Sequence, residues 1–591
     1  MAIFFSARQV RSRTVATRRQ GRSSSLQFNK SAIFRFELYS HTNSGPAESA
    51  ILMNPSGPGG SITYYRDIAL AWFSPNLDAQ DILLIDDRGR GRSTTIDCAT
   101  LQLGTAPFPQ AEADCVGELR NATSAFGTGA IAQDTDAVRE ALGYDKLDYW
   151  GASYGGEDVI AYATRFGEHV RSFVLDAPEG APSLDAFQIE GVEAHSTLRE
   201  IRLLCLRSPT CAIDHPYPEA DFARLINTLS NQPLRGQGYD ASGNLVSVEL
   251  DEGGLLYLIG NYSGNFVNIG ELLATGDSLS VGDPLPLLRL GAELPPFVRN
   301  YGDPTAFSQG SYFATLCVDL DAPWDWSVPM AERYRQYNEA VEGLPSDFFA
   351  PFSKTAGTGL GVSSEHQCLW WQKPIQSSPV LLPGAKYPNV PTLAMAGDLD
   401  TLVPLEESST DAAFFPDSTF IPVAEAGHVT ALWTQCAVNI QSHFFETLEL
   451  GDISCTEIPE TVWPAVGRFP RVAADGRPAD VDVNGRSQIG EGERKVVTVA
   501  VAAAIDALKR SSIGSGTGVG LRAGTFESAV DSTGTQTTTL SNCAFAQDVI
   551  VNGVVKWNAV EGAWEALGPV GDFRVSGTLG GEAVAVLVPE A

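Results

Sequence analysis

The sequence predicts an α/β fold: a mostly parallel sheet covered by helices on both faces, with a helical insertion in its middle and a β-rich tail. Three observations predict it. Short apolar runs alternate with helical stretches over residues 31–180 and again over 385–465, the reading expected of strands buried on both faces. Residues 181–384 lose that rhythm, and those after 466 change to short Thr/Val-rich runs. Residues 147–159, LDYWGASYGGEDV, place Gly-x-Ser-x-Gly between a β-type run and a helix-type run.

In order, residues 1–30 are basic and polar, without the apolar core of a secretory signal, and read as a disordered leader, with a wrongly assigned start or a replaced signal as the alternatives. Residues 31–39 (SAIFRFELY) alternate like a strand, 50–54 (AILMN) and 81–87 (DILLIDD) are apolar strands, and 134–142 has helical spacing ending at Gly143. Residues 147–150 and 170–176 are strands on either side of a helix over 156–165. The 181–384 insertion carries amphipathic helices at 187–206, 219–230 and 330–342 and reads as a lid. Strands return at 391–398 and 418–423, closing the core at 465. The tail, 466–591, has one helix over 494–510 and otherwise reads as a separate β-rich unit.

At 591 residues the chain calls for two to four folding units. Forty Lys plus Arg against 71 Asp plus Glu give a net charge of −31, which repels nucleic acid and anionic membranes. That charge fits a solvated acidic surface, and it also suits cationic substrates such as peptides with free amino termini. No apolar run reaches the ~20 residues of a bilayer span. Eight of nine cysteines fall into neighbouring pairs without C-x-x-C spacing, which argues against zinc ribbons. Local pairing (98–115, 205–211, 317–368, 436–455) would leave Cys543 odd and imply an oxidising compartment, hence export; scattered buried thiols are the competing reading.

The Gly-x-Ser-x-Gly segment has the context of a nucleophile elbow, with Ser153 on a strained strand-to-helix turn. Glycines 151 and 155 suit it because side chains there would crowd the neighbouring strand or helix. Serine acyl transfer also needs a base, an acid that orients the base, and donors for the oxyanion. In α/β-hydrolases the chain order is Ser, Asp/Glu, His. The loop GDLDTLVP after a strand offers Asp400, with Asp398 as competitor, and the loop ending Gly427–His428 offers the base. The oxyanion donors are then the N–H of Tyr154 and one from NPSGPGGS (54–61), Gly57 first and Ser56 next. DDRGRGRS (86–93) reads as structural, with Arg88 and Asp87 tying a loop to its neighbours.

NPSGPGGS, DDRGRGRS, GASYGG, GDLDTLVP and AGH, in that order, resemble the prolyl-aminopeptidase-like α/β-hydrolases, closest to the exported actinobacterial tripeptidyl-aminopeptidase group. SYFATLCVDLDAPW (311–324) and EHQCLWW (365–371) also resemble that group's cysteine-bearing segments. The resemblance covers residues 31–465. It implies an α/β-hydrolase fold, Ser153 as nucleophile, Asp400 as acid, His428 as base, export, and the 317–368 pairing. The chain departs from the group at Ser56 and at Gly156-Glu157-Asp158, beside the pocket.

The reading is therefore a serine hydrolase, an aminopeptidase releasing short units from peptide amino termini, with a small peptide or ester as its partner. A carboxylesterase or lactonase with the same triad is the alternative, and a non-enzymatic binding protein the more distant one. Ammonium recognition calls for a carboxylate: Glu157 and Glu365 are the candidates, ahead of Asp319 and Asp321. Trp324, Trp326, Trp370 and Trp371 are candidates for an apolar pocket, each also readable as packing. No metal motif is present and no cofactor is implied. The tail is compatible with a homo-oligomer contact.

Overall fold

The computed structural model describes residues 22–28, 32–55, 57–180, 187–261, 269–372, 378–458, 464–481, 489–513, 516–532, 535–558, 573–579 and 582–588. The described residues divide into two compact units, one formed by those of 22–196 with 296–458, the other by those of 197–295 with 464–588.

The first unit is built on an eight-stranded sheet. Its strands are β1 (Arg22–Phe28), β2 (Ala32–Tyr39), β3 (Ala50–Asn54), β4 (Asp81–Asp86), β5 (Leu147–Ser153) and β6 (Val170–Pro178), then β9 (Thr392–Gly397) and β10 (Ser418–Val423). The spatial order is β1-β2-β4-β3-β5-β6-β9-β10. β1 and β2 run antiparallel to their neighbours and the other six are mutually parallel. Every residue of β3, β4, β5 and β9 is buried.

Alternate side chains of these continuous apolar runs go to opposite faces. Ile51, Met53, Trp150, Ala152 and Met395 enter one core with Phe73 and Phe445. Ala50, Leu52, Tyr149, Phe173 and Ala394 enter the other with Val159, Tyr162 and Phe415. Because β3, β5, β6 and β9 are parallel neighbours, their carboxyl ends lie along one edge, where loops in an open α/β sheet assemble sites.

The expected disordered leader differs at its end: residues 22–28 pair with 32–38 as β1. The rest of the leader lies outside the described residues, as does Ser56. The insertion holds helices Gln188–Arg207, Pro218–Asn231 and Met330–Gly343. It also holds a hairpin absent from the sequence reading, β7 (Leu234–Tyr239) with β8 (Leu245–Leu250). Its strands contain Gly236 and Gly238, which weaken a strand signal. They are glycines because a Cβ at either would strike Leu288.

The second unit is organised by helix Glu491–Ile513. It carries the sheet β12 (Thr517–Val519), β13 (Ala523–Val530), β14 (Thr535–Ala544) and β15 (Val551–Asn558), all antiparallel. A second sheet joins β11 (Asp480–Val481) to β17 (Glu582–Val588) and β16 (Phe573–Leu579). A buried ionic group holds the helix to the 197–295 segment of the same unit. Arg289 meets Asp506 at 2.8 Å and Glu271 at 3.3 Å, and Arg510 meets Glu271 at 2.5 Å and Glu293 at 3.1 Å. Burial pushes Glu293 up to about 7 against the pull of Arg510 and Arg289.

The cysteines pair as 98–115, 205–211, 317–368 and 436–455, and Cys543 is a buried free thiol. Among the described residues no helix is long and apolar enough to cross a membrane.

Candidate active site

Ser153 ends β5 and stands at φ +54°, the strained turn that the glycine pattern calls for. The flanking glycines are sterically required. A Cβ at Gly155 would lie 2.3 Å from the Asn54 carbonyl oxygen of β3, and one at Gly151 would lie 2.5 Å from Val159. Tyr154 caps the helix Gly155–Phe166, whose first N–H groups have no partner within the helix. Its own hydroxyl donates to Asp319 at 3.1 Å. Asp319 also accepts the Thr128 N–H at 2.7 Å, and burial pushes its carboxyl up to about 7 in spite of those bonds.

Asp400 and His428 meet. His428 Nδ1 lies 2.9 Å from Asp400 Oδ2, with the two side chains 2% and 0% exposed. The other oxygen, Oδ1, accepts the N–H groups of Leu402 and Val403, each at 2.9 Å. That leaves the loop after β9 with a single carboxylate orientation. Asp398, the competing acid, instead accepts the Glu425 N–H at 2.7 Å and braces the following loop. Burial disfavours a charged His428, but the Asp400 carboxylate outweighs it and raises the imidazole above its ordinary value; Glu179 and Asp176 add to the same effect. His428 Nε2 is buried without a hydrogen-bond partner, so no Ser153–His428 hydrogen bond is formed in this structure.

Sequence reasoning missed the residues that hold these loops. Asp176, near the end of β6, accepts Thr430 N–H at 2.7 Å, Thr430 Oγ1 at 2.8 Å, Ala431 N–H at 3.0 Å and Gln441 Nε2 at 2.8 Å, anchoring the chain just past His428. Asp86, ending β4, does the same for the loop after β3. It accepts Ser61 Oγ at 3.0 Å, Thr63 N–H at 2.9 Å and Arg92 N–H at 3.0 Å. A Cβ at Gly91 would overlap the Asp86 carboxylate, which accounts for a glycine in DDRGRGRS. The only warning in the sequence was their place at the carboxyl ends of strands. Arg88 grips Asp134 with two bonds of 2.5 and 2.6 Å, and Arg90 pairs with Asp87 at 2.8 Å.

Gly57 lies in the loop after β3, with open space where a Cβ would be. Glu157 lies on the first turn of the helix after the elbow, its Oε2 buried without a partner. Burial, then Asp319, push its pKa well above the ordinary value. Glu365 is 3% exposed with both oxygens engaged, accepting the Phe187 N–H and the Ser363 hydroxyl, each at 3.0 Å. Trp324 packs on Trp326 and Tyr337, and Trp370 on Phe108 and His366. Among the described residues no group of three or more His, Cys, Asp or Glu could hold a metal ion.

Comparison with known proteins agrees with this fold. The family described as alpha/beta hydrolase fold matches residues 49–244. The tripeptidyl aminopeptidase of Streptomyces lividans is 31% identical over 153 residues, 22% of this chain and 28% of that protein. Serine protease Hip1 of Mycobacterium tuberculosis is 42% identical over 77 residues, 13% and 15% of the two chains. Carboxylesterase B of the same species is 29% identical over 378 residues, 57% of this chain and 66% of that one. The match to the Streptomyces protein thus spans little more than a quarter of that relative's length. The fold is that of the α/β-hydrolases, and over parts of its length the chain is similar to peptidases and to an esterase.

Proposed function

We propose that the protein is a serine hydrolase working through an acyl-enzyme, with Ser153 as nucleophile, His428 as general base and Asp400 as the acid that orients the imidazole. The observation that carries this reading is the buried Asp400–His428 contact at 2.9 Å, in a chain whose Ser153 occupies a strained strand-to-helix turn. Asp400 fixes the tautomer that leaves the Nε2 lone pair free to take the Ser153 proton. The Ser153–His428 hydrogen bond closes when substrate binds, as catalytic bonds that are long in the free enzyme do. Backbone N–H groups of Tyr154 and Gly57 hold the oxyanion of the tetrahedral intermediate.

The preferred substrate is a peptide with a free amino terminus. The resemblance to tripeptidyl aminopeptidase supports this, as do the Glu157 carboxyl close to the elbow, whose Oε2 lacks a partner, and the net charge of −31. A carboxylesterase with the same triad is favoured by the longer match to carboxylesterase B. Export is proposed from the four disulfides. Residues 181–384 are proposed as the lid of the core formed by 31–180 and 385–465, with 466–591 as the tail domain.

The test uses a fluorophosphonate probe and peptide anilides with free and blocked amino termini beside nitrophenyl esters. Labelling lost in Ser153→Ala and cleavage of free-amino anilides are expected. Labelling that survives in Ser153→Ala removes the nucleophile assignment, and fast ester turnover without cleavage of any free-amino peptide removes the peptidase reading.

A further inference from the structure

An oxyanion hole drawn from two chain segments works only if its N–H groups keep a fixed separation. The first donor, the Tyr154 N–H, shares a rigid peptide plane with the Ser153 carbonyl. The β5–β6 pairing slips between Ala152 and Ser153, and Ala177 takes up the slack at φ +51°. Bulges of this kind re-aim the chain beside active sites. This one puts the Glu179 N–H on the Ser153 carbonyl oxygen at 2.9 Å. Glu179 thus stands beside the serine, and the plane that carries the Tyr154 N–H cannot turn without giving up that bond.

The second donor, Gly57, follows β3 on a loop that buried carboxyls clamp at both ends. At the far end Asp86 accepts the Ser61 hydroxyl at 3.0 Å and the Thr63 N–H at 2.9 Å. At the near end Asn54, the last residue of β3, donates from Nδ2 to Asp158 Oδ2 at 2.9 Å. Asn54 and Asp158 are each 1% exposed, so water does not compete for that bond. Asp158 lies on the helix that leaves the elbow, and its N–H points at the Tyr154 carbonyl oxygen, 3.4 Å away. One side-chain bond therefore joins the strand leading to Gly57 to the turn of helix that follows Tyr154. The backbones also meet there, since the Asn54 carbonyl oxygen fills the space a Cβ at Gly155 would need. Arg90, fully buried, braces Asp158 from behind, 3.7 Å from the same Oδ2 and 2.8 Å from Asp87. Asp158 and Gly156 are two of the residues at which the chain departs from the group it resembles. Both have partners inside the fold: a Cβ at Gly156 would lie 2.7 Å from Pro178.

We propose that Asp158, acting through Asn54, is a positioning residue that sets the separation of the Tyr154 and Gly57 N–H groups. This rests on the serine-hydrolase reading above and adds to it a residue that works only through the backbone donors. Without the bond the two donors drift apart. That fault is felt where negative charge develops on the substrate oxygen, not where the neutral substrate binds.

The experiment measures p-nitrophenyl acetate hydrolysis by the full chain and by Asp158→Ala, Asn54→Ala, the double variant and Asp158→Asn, with active sites counted by fluorophosphonate titration. Each alanine variant should lose at least tenfold in kcat per titrated site, with KM within threefold of wild type. Inhibition by phenylboronic acid, which forms a tetrahedral adduct on serine, should weaken by a similar factor. The double variant should lose no more than threefold beyond either single one, because both remove the same bond. Asp158→Asn keeps an acceptor for the Asn54 amide and should recover most of the loss. An unchanged kcat, a loss confined to KM, additive losses, or an Asp158→Asn as impaired as Asp158→Ala overturns the proposal. If Asp158→Ala does not fold, Asn54→Ala removes the same bond and is judged by the same kcat, KM and boronate criteria. Failure of fluorophosphonate to label wild-type Ser153 would sink the serine-hydrolase reading and this proposal together. Labelling with full turnover in the alanine variants would sink this proposal alone.

Discussion

Asp400 holds His428 from the buried side, Oδ2 to Nδ1 at 2.9 Å, while its other oxygen is tied to two backbone N–H groups. The carboxylate cannot turn without giving up those bonds. The imidazole is therefore oriented by a group that is itself oriented by the loop after β9.

Asp400→Asn keeps an acceptor for Leu402 and Val403 but presents an amide to His428. The expected outcome is a fall in kcat of about 10³–10⁴ with little change in Tm, since the ring would be held in the wrong tautomer. Steady-state kinetics beside thermal unfolding check this. A loss below tenfold would remove Asp400 from the triad.

The acid side of the pH profile follows from the same pair. A protonated His428 cannot accept the Ser153 proton, and its pKa is raised above the ordinary 6.5 because Asp400, with Glu179 and Asp176, outweighs burial. Lowering the pH through that raised value removes activity. On a neutral ester, kcat/KM measured from pH 5 to 9 should therefore lose half its maximum above pH 6.5 rather than below it.

Asp411 is fully buried with neither oxygen paired, and burial and then Glu179 push its pKa well above the ordinary 3.8. The unfolded chain ionises it near 3.8 while the folded chain keeps its proton, so this group lowers stability as pH rises above that value. Asp411→Asn should raise Tm by about 2–4 °C at pH 8. The difference should close below pH 4. Scanning calorimetry at the two pH values measures it, and a variant less stable than wild type at pH 8 would contradict the argument.

The Cys317–Cys368 disulfide closes a 51-residue separation, and Asp319, two residues beyond Cys317, accepts the Tyr154 hydroxyl and the Thr128 N–H. Cys317→Ala with Cys368→Ala should cost about 2–4 kcal/mol by freeing the unfolded chain. It should also lower turnover by loosening the support of the elbow. Denaturant titration and ester kinetics test both effects, and unchanged stability would rule out the restraint.

Much of this was legible because it depends on local rules. Glycines at 151 and 155 are demanded by a close approach of backbone to backbone, and the buried strands announce themselves as apolar runs. The order of Ser153, Asp400 and His428 along the chain reflects the order of strands in the sheet. What escaped notice depends on neighbours far away in sequence. The 234–250 hairpin hides behind glycines that exist to accommodate Leu288. Asp86 and Asp176 look like ordinary strand-end acids until the loops they clamp fold over them. Glu365 is the same residue type as Glu157, yet its oxygens are taken by Phe187 and Ser363.

The sequence by itself determined the fold class, the glycine-flanked turn at Ser153, Asp400 and His428 as the candidate acid and base in that chain order, and a cysteine spacing compatible with local pairs. Periodicity, glycine sterics and chain order express these over short stretches. Only the tertiary structure decided which of Asp398 and Asp400 meets the imidazole, and that Glu179 stands beside the serine. Both outcomes are set by where separate strands end and how one bulge at Ala177 turns the chain. In a protein with 71 acids, charge alone carries no address; burial and the partners left unmade supply it.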